Sequence, residues 1–193
     1  MKLEEAFKEI NRFSTTSEEE LVTKMEEASS TNQTLEFKVG FAIVLGAKGR
    51  EAESMGLYEQ VLESQPNNPI ALTNLGAYYM YKDAKRAFKM FRKVIKEQVA
   101  NGAEKSTLAL AYVNLGVLHE NAAYYELAYN SYRLALKIDP ANRLAQKYIA
   151  DLKKKADPDY GLIGLQITEN ETSVPMLWDG SFIQQCDRAF GEK

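Results

Sequence analysis

The stretch Ala109–Asn142, ALAYVNLGVLHENAAYYELAYNSYRLALKIDPAN, decides the fold of this chain. Its apolar and small residues recur three or four positions apart, which is the spacing of one face of an α-helix. The residues in this pattern are Tyr112, Leu115, Gly116 and His119 in a first segment, and Ala128, Tyr132 and Ala135 in a second. Pro140 ends the second segment because proline cannot continue a helix interior. The stretch therefore predicts a helical hairpin whose helices approach closely at Gly116.

A lone helical hairpin cannot bury its apolar face, so the pattern predicts further copies in the same chain. A good copy contains Leu72, Leu75, Gly76, Tyr79, Ala87, Phe91 and Val94, and a weaker one contains Phe41, Ala42, Leu45, Ser54, Tyr58 and Val61. The offset from Ala42 to Ser54 is twelve residues, the same as from Gly116 to Ala128. These matching offsets indicate three copies of one unit.

The connection between the second and third copies is longer than the one before it. Gly76 and Gly116 are forty residues apart, whereas Ala42 and Gly76 are thirty-four apart. The extra residues predict a helix that continues through Val94–Ala100 and stops at Asn101-Gly102. Ser106 is then the predicted N-cap of the next helix.

In order and spacing these residues resemble the tetratricopeptide repeat, a helix–turn–helix unit of about 34 residues. The resemblance covers residues 35–142 and implies three repeats, at 35–68, 69–102 and 109–142. It implies an all-α fold, a right-handed superhelical α-solenoid of antiparallel helix pairs. It also implies a surface that binds proteins or peptides, with no catalysis of its own.

The segments on either side of the repeats are predicted to cap them. Residues 1–32 predict an N-terminal helical cap or a degenerate repeat, with Leu3, Phe7 and Ile10 on one apolar face and Ser17 as an N-cap. Residues 143–156 predict a capping helix with Leu144, Tyr148 and Leu152 on one face. Residues 157–193 form an acidic tail with scattered aromatic residues and a predicted short helix at Phe182–Phe190, capped by Ser181. We expect this tail to pack on the repeats, to fill their groove, or to order when a partner binds.

Charge is distributed unevenly along the chain. The net charge is −5 over residues 1–36, +7 over residues 37–156 and −5 over residues 157–193, with −3 for the whole chain. A basic middle between acidic ends predicts contacts between the ends and the middle. The negative total gives no reason to expect nucleic-acid binding.

Catalytic and metal-binding motifs are not evident in the sequence. His119 is the one histidine and Cys186 the one cysteine, so no zinc set, cofactor site or internal disulfide is predicted. His119 occupies a position where this repeat usually has a packing aromatic, and we expect it in the core or groove. No apolar run reaches the roughly 18 residues that a membrane span needs. A single cysteine and no secretory signal predict a cytoplasmic location.

The candidate binding surface is a concave groove, which in this family is lined by the first helix of each repeat. Asn74 and Asn114 each stand two residues before the glycine of their repeat, where the family often uses asparagine to bind a peptide backbone. The first repeat has Gly40 at this place. The other predicted groove residues are Val39, Ile43, Ile70, Thr73, Ala77, Met80, Leu110, Val113, Val117 and Glu120.

Two further features of the sequence bear on the class of partner. The carboxylate clamp of heat-shock co-chaperones requires lysine, asparagine and arginine in the groove. Here only Asn74 fits, which argues against that function; the residues at the other places are Val39, Ile43, Leu110 and Asn114. A basic stripe on the second helix of the second repeat is expected to be solvated, or to contact an acidic partner or the acidic tail. Its residues are Lys82, Lys85, Arg86, Lys89, Arg92, Lys93 and Lys96.

The leading hypothesis is an adaptor or scaffold that holds a segment of another protein in the groove. The chain also resembles, in architecture and size, the three-repeat chaperones of type III secretion translocators, although its acidic tail is unlike them. An enzyme or regulatory subunit whose chemistry lies in a partner is a third alternative. Self-assembly through the N-terminal helix or the tail is a fourth.

Overall fold

The computed structural model of the chain describes residues 3–13, 17–101, 104–156 and 180–190. Among these residues the chain forms ten helices and no strand, which confirms the predicted all-α class. The helices are α1 (Leu3–Arg12), α2 (Glu18–Ser29), α3 (Leu35–Ala47), α4 (Glu51–Ser64), α5 (Pro69–Tyr79), α6 (Ala84–Asn101), α7 (Lys105–Asn121), α8 (Tyr125–Ile138), α9 (Arg143–Ala156) and α10 (Gly180–Ala189).

The chain divides into two compact units, Met1–Leu75 and Gly76–Lys193. In the first unit, α1, α2 and α4 all pack on α3. In the second unit, α7 packs on both α6 and α8, and α8 packs on α9. Five successive pairs, α2–α3, α3–α4, α6–α7, α7–α8 and α8–α9, are therefore neighbours in space.

Close approach at glycine holds the α7–α8 hairpin together. A Cβ added to Gly116 would lie 2.6 Å from Cδ1 and 2.9 Å from Cζ of Tyr132. Tyr132 is fully buried, and so is Phe91, whose ring would lie 2.5 Å from a Cβ on Gly76. The two glycines that the sequence pattern identifies are thus the places where a side chain has no room.

The first unit uses a different small residue in the corresponding hairpin. Ser54 of α4 is buried and donates a hydrogen bond of 2.7 Å to the carbonyl oxygen of Ala42 in α3. This bond satisfies the hydroxyl, whose burial would otherwise be unfavourable. The predicted equivalence of Ser54 with the small residue Ala128 is therefore consistent with the packing that the structure has.

The N-terminal helix α1 packs on α3 with a different face from the predicted one. A Cβ on Gly40 would lie 3.0 Å from the carbonyl oxygen of Ala6 and 3.2 Å from Ile10, so glycine permits this contact. Ala6 is fully buried, whereas Phe7 is 47% exposed. The prediction that Phe7 belongs to the packing face is wrong, because Ala6, Ile10 and the following Phe13 provide that face instead.

Two predicted helix ends are confirmed and two predicted caps are not. Ser17 caps α2 by accepting a hydrogen bond of 3.1 Å from the backbone N–H of Glu20. Helix α6 continues to Asn101 as the long connection predicts. Ser106 is not an N-cap, because α7 begins at Lys105 and Glu104 occupies the cap position. Helix α10 begins at Gly180, so the predicted cap Ser181 already belongs to the helix.

The predicted capping helix α9 packs on α8, with one residue of its predicted face outside the contact. Leu152 and Ala145 are fully buried, and the ring of Tyr148 stacks on Tyr132 with a centroid distance of 5.2 Å. Leu144 is 47% exposed. Its prediction as a packing residue is wrong because Ala145 turns towards α8 in its place.

The predicted contacts between acidic and basic segments are observed within each unit. Lys48 pairs with Glu18 and Arg50 pairs with Glu26 in the first unit, and Arg92 pairs with Asp187 of the tail in the second.

No helix in the described part of the chain is both long enough and apolar enough to cross a bilayer. Residues 157–179 of the predicted tail lie outside the described residues.

We predict that Gly116→Ala lowers the free energy of unfolding by about 1–3 kcal/mol or more, because the new methyl group overlaps the buried Tyr132 ring. Gly56→Ala is the matched control, since Gly56 lies inside α4 and a Cβ there would have no neighbour within 4 Å. That control should gain about 0.5–1 kcal/mol from helix propensity. Urea denaturation of both variants measures the difference, and equal stabilities would contradict the packing described here.

Candidate functional site

The predicted groove residues divide into buried and accessible side chains. Val39, Ile70, Thr73, Met80 and Val113 are buried. Leu110 is 37% exposed, and the other residues that solvent reaches are Ile43, Asn74, Ala77, Asn114, Val117 and Glu120. The five buried residues present no open side-chain surface in this structure, so the accessible set defines the candidate site.

Helix α7 carries two distinct faces. Tyr112, Leu115 and His119 are buried against neighbouring helices. Leu110 and Asn114 are spaced by four residues, and both are accessible to solvent. Residues three and four apart lie on the same side of a helix, so this spacing forms an accessible strip of apolar and amide side chains that continues to Val117.

The two candidate asparagines lie in different units, Asn74 in the first and Asn114 in the second. Asn74 is exposed on α5, and its amide nitrogen donates a hydrogen bond of 2.9 Å to the carbonyl oxygen of Ile70. An amide group has two N–H donors and an acceptor oxygen. Asn74 therefore keeps hydrogen-bonding capacity for a ligand while its own helix holds the side chain in place.

Glu120 is engaged by its own chain. Its carboxylate accepts a hydrogen bond of 2.9 Å from the hydroxyl of Tyr132 and forms an ion pair with Lys155 of α9. Burial, followed by the charge of Glu120, raises the pKa of the Tyr132 hydroxyl. Glu120 thus links α7, α8 and α9, and its predicted role in ligand binding is the least supported by the geometry.

His119 is fully buried between α7 and α8. Its Nδ1 lies 3.1 Å from Ser131 Oγ, and that hydroxyl donates its proton to the carbonyl oxygen of Leu127 at 2.7 Å. Because Ser131 has only one proton to donate, we assign the imidazole proton to Nδ1. Nε2 is then a buried acceptor, and it has no hydrogen bond within the described residues.

Burial lowers the pKa of His119 to about 3, so the ring is neutral at pH 7.

The predicted basic stripe has partners within the second unit. The ammonium group of Lys82 lies 3.6 Å from the ring centroid of Tyr78. The guanidinium of Arg86 lies 3.8 Å from the ring centroid of Tyr79. Lys82, Lys85, Arg86, Lys89 and Lys96 are exposed, whereas Arg92 and Lys93 are partly buried. Apart from Lys82, which precedes α6, the stripe lies on α6, and its Arg92 pairs with Asp187 of the tail.

Among the described residues, no cluster of three or more histidine, cysteine, aspartate or glutamate side chains could hold a metal ion. Cys186 is fully buried, and burial raises the pKa of its thiol to about 12. A thiol with such a pKa is protonated at neutral pH and is a weak nucleophile.

Comparison with known proteins identifies the repeat. Residues 109–142 match the family model of the tetratricopeptide repeat. The chain contains a tetratricopeptide repeat. A solved structure, the MamA D159K mutant, is similar to the chain with a TM-score of 0.53 and 17% sequence identity, over 97% of this chain and 96% of that one. This similarity supports the fold alone. A search of curated proteins returned no match.

The tetratricopeptide pattern did not predict how the C-terminal helix would pack. Phe190, the residue after α10, lies against α6 and α7. Its ring centroid is 4.7 Å from that of Phe88 in α6 and 5.6 Å from that of His119 in α7. Arg92 Nε lies 2.8 Å from Asp187 Oδ1. The aromatic residues and negative charge of the tail predicted a contact with the basic segment. Which of its residues make that contact depends on tertiary geometry, which helical periodicity does not contain.

We predict that His119 makes the stability of the protein sensitive to mild acid. Its folded pKa of about 3 is below the usual value of about 6.5, so the unfolded chain binds the proton first as the pH falls. The stabilisation is complete above pH 6.5 and is lost progressively towards pH 3. From pH 7 to pH 5 the free energy of unfolding should fall by about 2 kcal/mol more than in His119→Phe.

His119→Phe is a suitable control because Phe cannot titrate and Ser131 retains its bond to Leu127. Urea denaturation at pH 7, 6 and 5 measures both proteins. Parallel pH profiles for the wild type and the variant would show that His119 is not the titrating group.

Proposed function

We propose that this chain is a non-catalytic adaptor or scaffold whose repeats hold a segment of another protein. Tetratricopeptide repeats are protein–protein interaction modules, and the chain contains one at residues 109–142. The single observation that carries the proposal for this site is the accessible strip on α7, in which exposed Leu110 lies one turn from the amide of Asn114. A cluster of exposed apolar residues beside polar ones is typical of an interaction site.

The strip has the chemistry needed to hold a peptide of varied sequence. The amide of Asn114 has both donors and an acceptor, so it can bond a backbone peptide group whatever the side chain next to it. Such a bond contributes about 0.5–1.5 kcal/mol, or roughly twofold to tenfold in affinity. Leu110 and Val117 add apolar contact area on the same helix. Asn74 offers the same amide chemistry on α5 of the first unit.

We expect Asn74→Ala and Asn114→Ala, tested one at a time, each to weaken partner binding about twofold or more, because one amide bond is lost. Leu110→Glu should weaken it further by placing a charge in the apolar strip. A partner captured from the native host by the wild-type chain serves as the ligand, and calorimetry measures its affinity. Asn130→Ala on α8 is the matched control, since it removes an asparagine amide from the second helix of the hairpin.

Thermal melting must accompany these measurements. A loss of binding with an unchanged melting temperature supports direct contact. Affinities for both asparagine variants and for Leu110→Glu that equal the wild-type value would contradict a site on these helices.

A further inference from the structure

The C-terminal helix α10 packs on the second unit through one side. Cys186 is fully buried. Asp187 is followed three residues later by Phe190, and both side chains contact α6. Asp187 and Phe190 are three residues apart, and Cys186 and Phe190 are four apart. This is the spacing of side chains on one face of a helical recognition motif.

Phe190 enters a cluster of three rings. It stacks on Phe88 at 4.7 Å with an interplanar angle of 22°, lies 5.6 Å from His119, and meets Tyr124 edge-on at 6.2 Å. Offset stacked and edge-on aromatic pairs contribute attraction beyond the burial of their area. Phe190 is thus the apolar anchor of the helix.

Asp187 supplies the electrostatic part of the contact. The Arg92 guanidinium places Nε 2.8 Å from Asp187 Oδ1, and its Nη2 donates a hydrogen bond of 2.9 Å to Oδ2. A hydrogen bond between charged partners is stronger than one between neutral groups. Arg92 belongs to the basic stripe of α6, so this ion pair joins the acidic tail to that stripe.

One further contact holds the end of α10. The Tyr124 hydroxyl donates a hydrogen bond of 3.3 Å to the carbonyl oxygen of Ala189. A tethered segment needs little intrinsic affinity, because its effective concentration is on the order of millimolar. A partner that offered the same motif could therefore replace it.

We propose that the surface formed by Phe88, Arg92, His119 and Tyr124, here named the α6–α7 seam, is a second docking site. Its ligand is a helical segment of another protein that carries an aspartate three residues before a phenylalanine. The chain's own C-terminal helix fills the seam when this partner is absent. Neither Asn74 nor Asn114 contributes to the seam.

The test first opens the seam in the full-length protein. Phe190→Ala removes the anchor, and Asp187→Arg removes the ion pair without changing the seam itself. Cys186 is the one thiol in the chain, so its reaction with a thiol reagent reports undocking. Both variants should react at least about tenfold faster than the wild type, as expected when a buried thiol becomes accessible. Phe7→Ala, which removes an exposed phenylalanine from the first unit, is the control and should leave the rate unchanged.

The second step adds a fluorescent peptide with the sequence of residues 180–193. It should bind the Phe190→Ala protein about tenfold or more tighter than the wild type, whose own helix competes. A peptide with Asp187→Arg should lose this binding, and the protein with Phe190→Ala and Arg92→Asp should recover it. Recovery by reversed charges identifies the seam as the binding surface.

Several results would overturn the proposal. Slow Cys186 reaction in both opened variants would show that Phe190 and Asp187 do not hold the helix. Fast reaction without peptide binding would make the seam an internal packing surface only. A wild-type dimer in light scattering that becomes monomeric with Phe190→Ala would assign the seam to a second copy of this chain.

Discussion

The contact between Gly116 and the ring of Tyr132 determines how the second unit is arranged. A methyl group at position 116 would overlap that ring, so α7 and α8 pack at a distance that only glycine allows. This approach fixes which side of α7 is buried. It brings His119 within reach of Ser131, and it leaves the opposite side of the helix, with Leu110 and Asn114, accessible to solvent. The packing face and the candidate binding face of α7 are therefore two consequences of one contact.

Small residues elsewhere in the chain serve the same purpose in different chemical forms. Gly76 makes room for the ring of Phe91. Ser54 fits the α3–α4 hairpin because its hydroxyl has the carbonyl oxygen of Ala42 as an acceptor. Gly40 stands where the predicted second and third repeats have Asn74 and Asn114, and the carbonyl oxygen of Ala6 explains why, since α1 lies too close for a side chain. The predicted first repeat thus uses this position to pack a helix.

The sequence contained enough information to predict the helices and their packing faces, because periodicity and small residues act locally. Gly116, Tyr132 and the end of α6 at Asn101 were all predicted from spacing alone. The errors occur where alternatives differ by little energy. Phe7 and Leu144 continue an apolar pattern, yet the neighbouring alanines Ala6 and Ala145 allow closer contact and are the residues that become buried. The seam could not be predicted in detail, since Arg92 and Asp187 are 95 residues apart and no local pattern relates them. For the same reason, burial of Val39, Ile70 and Val113 depends on neighbours that a helical pattern does not identify.

The central claim is that the accessible face of α7 contacts another protein. A photo-activated cross-linking residue placed at position 110 in the native host tests it directly, with the same residue at exposed Glu126 of α8 as the comparison. The account predicts a covalent adduct with a discrete partner from position 110 and none from position 126. No adduct from position 110, or the same adducts from both positions, would contradict it.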